Sequence, residues 1–189
     1  KKPKEFEKNF YFVFERLCDQ NSKIDYKNFY YGNFNENFYK FLFKHINCIQ
    51  YSDYINLNED SVILNCGVRA GFEIPMYLSK NVKKIINIDP SGTKYLDPYV
   101  KKHMEIKNKS EMMFVNKALY FTDTVYGISK TDLKTTTLKH IIENNNLDKI
   151  DLIKSDIEGG ERVMVDELLE ICNKFRPQLA LSVYHENYN

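Results

Sequence analysis

Past residue 60 the chain is a succession of short apolar runs separated by polar, turn-prone stretches. The runs cover residues 61–65, 84–89, 114–119, 150–154 and 179–184. Each has the length of a strand. Their apolar character predicts strands. Between them lie segments of helical periodicity. One covers 72–80, with Pro75 near its start, where a missing N–H costs nothing. Others cover 93–103, 136–145 with a threonine cap, and 161–172, after which Pro177 breaks the chain. Residues 122–134 are polar and read as a loop. Strands alternating with helices predict βαβ units, and right-handed crossovers make of them an α/β fold. The expected architecture is a Rossmann-like open, mostly parallel sheet with helices on both faces.

Before this pattern the chain is crowded with aromatic residues. Phe6, Phe10, Val13, Phe14 and Leu17 recur at helical spacing, and so do Phe34, Phe38, Phe41 and Leu42, with a turn near Gly32 and Asn33. The reading is an aromatic-rich helical N-terminal extension over 1–47, followed by the Rossmann-like domain over 48–189. The plain role of the aromatics is to pack this segment onto the main domain. The sharper one is to line a substrate pocket or a homodimer surface.

Composition adds boundaries. At 189 residues, 43% hydrophobic and 28% charged, the chain suits one soluble domain. A net charge of +1 gives no reason to expect nucleic acid as a partner. No apolar run approaches the roughly 20 residues of a membrane span. Cys18, Cys48, Cys66 and Cys172 are scattered, without a metal-ligand spacing, so reduced thiols and a cytoplasmic location are expected. The chain opens at Lys1 without a signal peptide, which reads as an internal piece of a longer protein.

Four places carry candidate chemistry. The first run leads into a turn with Gly67 and Gly71, where a strand meets a helix. Gly67 permits a sharp turn and close ligand approach, so a side chain there should abolish ligand binding more than it lowers the melting temperature. The spacing is not that of a dinucleotide fingerprint, because Arg69 stands where that motif has a small residue. The second run ends in Asp89, 22 residues after Gly67. That position suits an acid accepting hydrogen bonds from both ribose hydroxyls; the bland reading is a helix cap. The fourth run leads into Asp156, Glu158 and Glu161, with Gly159 and Gly160 between. Helix capping accounts for one such acid more easily than for three. Finally His185 follows the fifth run at the same crevice edge.

With these residues in view, the chain resembles the FkbM-type methyltransferase family. The matching segments are VILNCGVRAG at 62–71, IDPS at 88–91, VNKAL at 115–119, Thr137 with Leu138, and IDLIKSDIEGGE at 150–161, the most specific of them. Arg176 with Pro177, then Tyr184 with His185, continue the likeness, which runs from Ser61 to His185. The resemblance implies S-adenosylmethionine as methyl donor and an oxygen acceptor, often on a sugar or glycan. By position, Gly67, Val68, Arg69 and Gly71 would hold the donor's methionine end, and Asp89, with Pro90 and Ser91, its ribose. Asn116 and Ala118 would flank the adenine, and Asp156 would face the methyl group. The family carries an acid where Asn65 stands, to engage the donor's ammonium, so the uncharged Asn65 predicts weaker donor binding. A full methyltransferase sheet also adds a final pair of strands that is expected to be missing here.

Methyl transfer needs an aligned acceptor oxygen and a group to take its proton. Asp156 or His185 would be the base. Glu158 and Glu161 would orient a sugar hydroxyl, or join Asp156 around a divalent ion. Two other readings stay open. One is a non-catalytic relative that binds donor or glycan, which Asn65 and the short C-terminal end would favour. The other is a nicotinamide-dependent oxidoreductase, which shares the fold but needs a third glycine.

Overall fold

The computed structural model describes residues 50–105, 109–120, 125–128 and 131–182. The aromatic-rich segment expected to be helical, with Tyr184 and His185, lies outside the described residues.

A five-stranded sheet forms the centre. Its strands are β1 (Val62–Cys66), β2 (Lys84–Ile88), β3 (Glu111–Val115), β7 (Leu152–Ser155) and β8 (Gln178–Leu181). They lie in the order β3-β2-β1-β7-β8, and every neighbouring pair is parallel. The expected Rossmann-like sheet is what the chain forms. β1 is buried along its whole length, as an apolar run with helices above and below must be.

The two faces carry two cores. Ile63, Ile85 and Leu152 point to one, where they meet α1 (Ile74–Ser79) and α2 (Pro98–Met104). Leu64, Ile86 and Ile153 point to the other, against α3 (Leu138–Asn144) and α4 (Val165–Phe175). Local chemistry sets the helix ends. Pro75 opens α1, and the Asp97 side chain caps α2 by accepting from the Tyr99 amide. Thr137 caps α3 as expected, accepting from His140 N at 3.0 Å. Arg176, in a left-handed conformation, ends α4 ahead of Pro177. Among the described residues no helix is long and apolar enough to cross a membrane.

Two expectations change. The third run is not one strand: β3 stops at Val115, and β4 (Ala118–Leu119) joins a second sheet. The stretch read as a loop holds β5 (Val125–Ile128) and most of β6 (Thr131–Thr136), an antiparallel pair whose β6 also runs parallel to β4. Threonine-rich β6 has strand propensity but no apolar alternation to announce it.

His103, on α2, is buried, and burial pushes its imidazole down from the ordinary 6.5 to about 4. The folded protein holds the neutral ring where the unfolded chain takes up a proton. The stability this group contributes is therefore complete above about pH 6.5 and is lost as pH falls through 4, roughly 3 kcal/mol in all. Melting temperatures measured between about pH 7 and pH 4.5 should fall less steeply in His103→Gln than in the wild type. Parallel slopes would remove His103 as a source of acid sensitivity.

Candidate active site

The site is built where β1, β2 and β7 end together. Gly67 leaves β1 with φ 76°, the left-handed region that favours glycine. Its amide donates to Ile88 O at 2.9 Å on one neighbouring strand, while Lys154 of the other neighbour donates to its carbonyl at 2.9 Å. Asp156 N closes the same junction by donating to Cys66 O at 3.0 Å. A Cβ on Gly67 would lie 1.8 Å from the Asp156 carbonyl oxygen. The lack of a side chain is thus demanded by the protein's own backbone. Arg69, two residues on, is also left-handed, with φ 44°.

Asp89 ties this turn to the next. Its Oδ2 accepts from Arg69 N at 2.8 Å, and its Oδ1 accepts from Ser91 N at 2.8 Å and from the Ser91 hydroxyl. After β7 a third turn begins. Glu158 has φ 57° and Gly159 φ 90°, so the chain doubles back on itself. Glu161 holds that turn from inside. Its Oε1 accepts from Ser155 Oγ at 3.0 Å and Ile157 N at 2.8 Å, and its Oε2 from Gly159 N at 3.1 Å.

The three turns enclose a cavity of about 370 Å³, within the range of small-ligand sites. Of the residues expected from sequence, the structure brings Gly67, Arg69, Asp89, Pro90, Ser91, Ala118, Asp156 and Glu158 together around this cavity. Three apolar side chains, Ile88, Leu119 and Ile157, share the lining with Tyr95 and Lys117. Sequence reasoning missed these five. Ile88 and Leu119 were visible as strand residues, but their exposure to a cavity depends on the strand ends.

Five expected contributors stand elsewhere. Asn65 is fully buried in the sheet, where its Nδ2 donates to Asn87 Oδ1 at 2.9 Å. Val68 packs into the core shared with α1 and α2. Gly71 faces Leu96 and Ile74 and lets the start of α1 close on them, so its part is packing. Asn116 lies against Gly92, whose missing Cβ makes room for its amide. Glu161, expected to meet the acceptor, turns inward because three donors converge on it. That also takes it out of a cation-binding trio with Asp156 and Glu158. His185 lies outside the described residues. Cys66 lies in the buried core, and burial pushes its thiol up to about 12.

The geometry can receive a ligand with a flat apolar part and polar ends. Apolar side chains supply the walls, Asp89 an acceptor at one edge, and Asp156 with Glu158 carboxylates at another. Comparison with known proteins bears on what that ligand is. Among solved structures, the chain is similar to methyltransferase FkbM from Methylobacillus flagellatus KT, at 17% identity and a TM-score of 0.51. The match covers 96% of this chain and 49% of that one, so the chain spans about half the length of that protein. At this identity the likeness shows a shared fold. No curated protein matches the chain. The methyltransferase FkbM domain model matches residues 46–188, most of the chain. The chain belongs to the methyltransferase FkbM domain family.

Proposed function

We propose that this protein transfers a methyl group from S-adenosylmethionine to an oxygen of a sugar or glycan-type acceptor. The observation that carries the reading is the position of Asp89, just past β2, where it lines the cavity beside Gly67 and accepts from the Arg69 amide of the Gly67 turn. The residues present fit the donor. Ile88 and Leu119 offer apolar surface to a base, and Asp89 is placed for a ribose.

The Asp89 contacts add a condition. Oδ1 already accepts two hydrogen bonds and Oδ2 one. A carboxylate oxygen has about two lone pairs, so Oδ2 can take one ribose hydroxyl directly. Oδ1 can take the other once the Ser91 hydroxyl turns away. Ser91 therefore holds the carboxylate in place until the ribose replaces it.

When bound, the donor supplies an electrophilic methyl group on a sulfonium, a leaving group that needs no acid. The protein's task is to place the acceptor oxygen in line and take its proton. Asp156 sits at the Gly67 junction and lines the cavity, which makes it the base among the described residues. Glu158, held out by its left-handed backbone, is placed to accept from acceptor hydroxyls.

Calorimetry tests the reading. S-adenosylhomocysteine should bind, and NAD should not. Asp89→Ala should weaken S-adenosylhomocysteine about tenfold or more, the worth of two hydrogen bonds to a charged acceptor. Unchanged binding in a folded Asp89→Ala protein would sink the ribose assignment. Binding of NAD alone would turn the reading to an oxidoreductase. Binding of the donor without methyl transfer to any saccharide would leave a non-catalytic binding protein.

A further inference from the structure

Beneath the Gly67 turn, on the sheet face covered by α1 and α2, lies a buried polar layer. Asn87 of β2, Asn65 of β1 and Lys154 of β7 are in register, so their side chains leave the sheet in one row. Glu73, at the start of α1, descends onto this row. Asn65 and Asn87 are 0% exposed, Glu73 3% and Lys154 8%. None of the four lines the cavity.

Lys154 is the centre of the layer. Its Nζ donates to Gly67 O at 2.9 Å, reaches Cys66 O at 3.5 Å, and stands 3.6 Å from Glu73 Oε1. Glu73 occupies the cap position of α1, yet its side chain makes no capping hydrogen bond. Its carboxylate turns inward, toward the lysine. Among the described residues, neither Glu73 Oε1 nor Asn65 Oδ1 has a hydrogen-bond partner. A buried ion pair is a poor way to gain stability, since removing two charges from water costs about what their attraction returns. This one does something an apolar pair could not. The Gly67 peptide is held at both ends, its N–H by β2 and its carbonyl by the Lys154 ammonium.

We propose that Lys154 is a positioning residue for the Gly67 turn and that Glu73 supplies its counter-charge. The layer requires one carboxylate beside Lys154, and position 65, its neighbour in register on β1, can supply it in place of Glu73. The inference rests on the donor reading only where ligand affinity is the measure.

Four variants test it: Lys154→Met, Glu73→Gln, Asn65→Asp and the double Asn65→Asp/Glu73→Gln. Glu73→Gln leaves the buried cation without its counter-charge and should lower both the melting temperature and S-adenosylhomocysteine affinity, the latter about tenfold. The double variant should recover both, to within about threefold of wild-type affinity, while Asn65→Asp alone places two carboxylates on one lysine and should melt below the wild type. Lys154→Met should raise hydrogen exchange at the Gly67 amide about tenfold or more relative to the amides of Leu64 and Asn65, with a matching loss of affinity. Losses in the double that equal the sum of the two singles would overturn the counter-charge. A Lys154→Met protein that melts lower but keeps Gly67 exchange and ligand affinity would overturn the positioning role. If the wild type binds no S-adenosylhomocysteine, the proposed function fails. Melting recovery in the double and Gly67 exchange then still decide the positioning proposal. Should Lys154→Met not fold, the Glu73→Gln variant and its rescue carry the test.

Discussion

Gly67→Ala should lower the melting temperature by roughly 10 °C and remove donor binding, two effects with one cause. The added methyl group would meet the Asp156 carbonyl oxygen at 1.8 Å, a separation no side-chain adjustment can relieve. The backbone conformation, with φ 76°, adds strain of its own. Relief requires β1 and β7 to separate at their ends, which breaks the Asp156 N to Cys66 O hydrogen bond and displaces Asp156 from the cavity. From sequence, a side chain at Gly67 is expected to strain the backbone or press into the ligand, and to abolish binding more than it lowers the melting temperature. The structure puts protein backbone where that ligand contact was expected, so stability and binding fall together. Gly71→Ala is the control. It shares the left-handed backbone, but its methyl would meet the ends of Leu96 and Ile74, which can move. Its melting temperature should fall less. A Gly67→Ala protein melting within about 2 °C of the wild type would show that the junction is looser than these contacts make it.

The contrast between the two glycines shows what sequence could reveal here. β1, β2 and β7 were visible because strands buried on both faces must be nearly continuous apolar runs, and such runs are readable without knowing their neighbours; β8, a partly buried edge strand, showed as an apolar run after Pro177. The helix starts at Pro75 and Thr137 were visible because caps are local chemistry. The second sheet was not, since Ala118–Leu119 is too short to show a period and β6 is polar. The site followed the same division. Asp89 and Asp156 were readable as acids at strand ends. Asn116 was not placed by the sequence, for its amide lies against Gly92 rather than in the cavity lining. Lys117 lines the cavity instead. Val68 and Glu161 turn inward for reasons that exist only once the turns have closed. The Lys154–Glu73 pair had a single signal, a lysine inside an apolar run, and no sequence spacing connects it to the start of α1.

The acidic cluster after β7 should divide into two kinds of residue. Glu161→Ala removes a carboxylate that accepts three hydrogen bonds, two of them from the backbone amides of Ile157 and Gly159. The Ser155 hydroxyl would be left buried and the two part-buried amides would lose their acceptor, and the turn that carries Glu158 with φ 57° would lose what holds it closed. The expected cost is about 3 kcal/mol, or roughly 6–12 °C in melting temperature for a chain of this size. Glu161→Gln keeps the shape, but its amide nitrogen would face a donor, so it should recover only part of the loss. Asp156→Asn should behave in the opposite way. Asp156 lines the cavity, and the hydrogen bond that fixes this residue to β1 is made by its backbone N–H, which the substitution keeps. Melting temperature and S-adenosylhomocysteine affinity should stay close to wild type while kcat falls, the pattern of a group needed mainly in the transition state. From sequence, Glu161 is expected to read the acceptor and so to raise its KM when changed. Its inward hydrogen bonds replace that expectation with a loss of stability. Thermal melting and single-turnover kinetics on the same set of variants separate the two roles. A Glu161→Ala protein of wild-type stability with a raised acceptor KM would return that residue to the cavity, and an Asp156→Asn protein with an unchanged rate would leave the base to be found elsewhere.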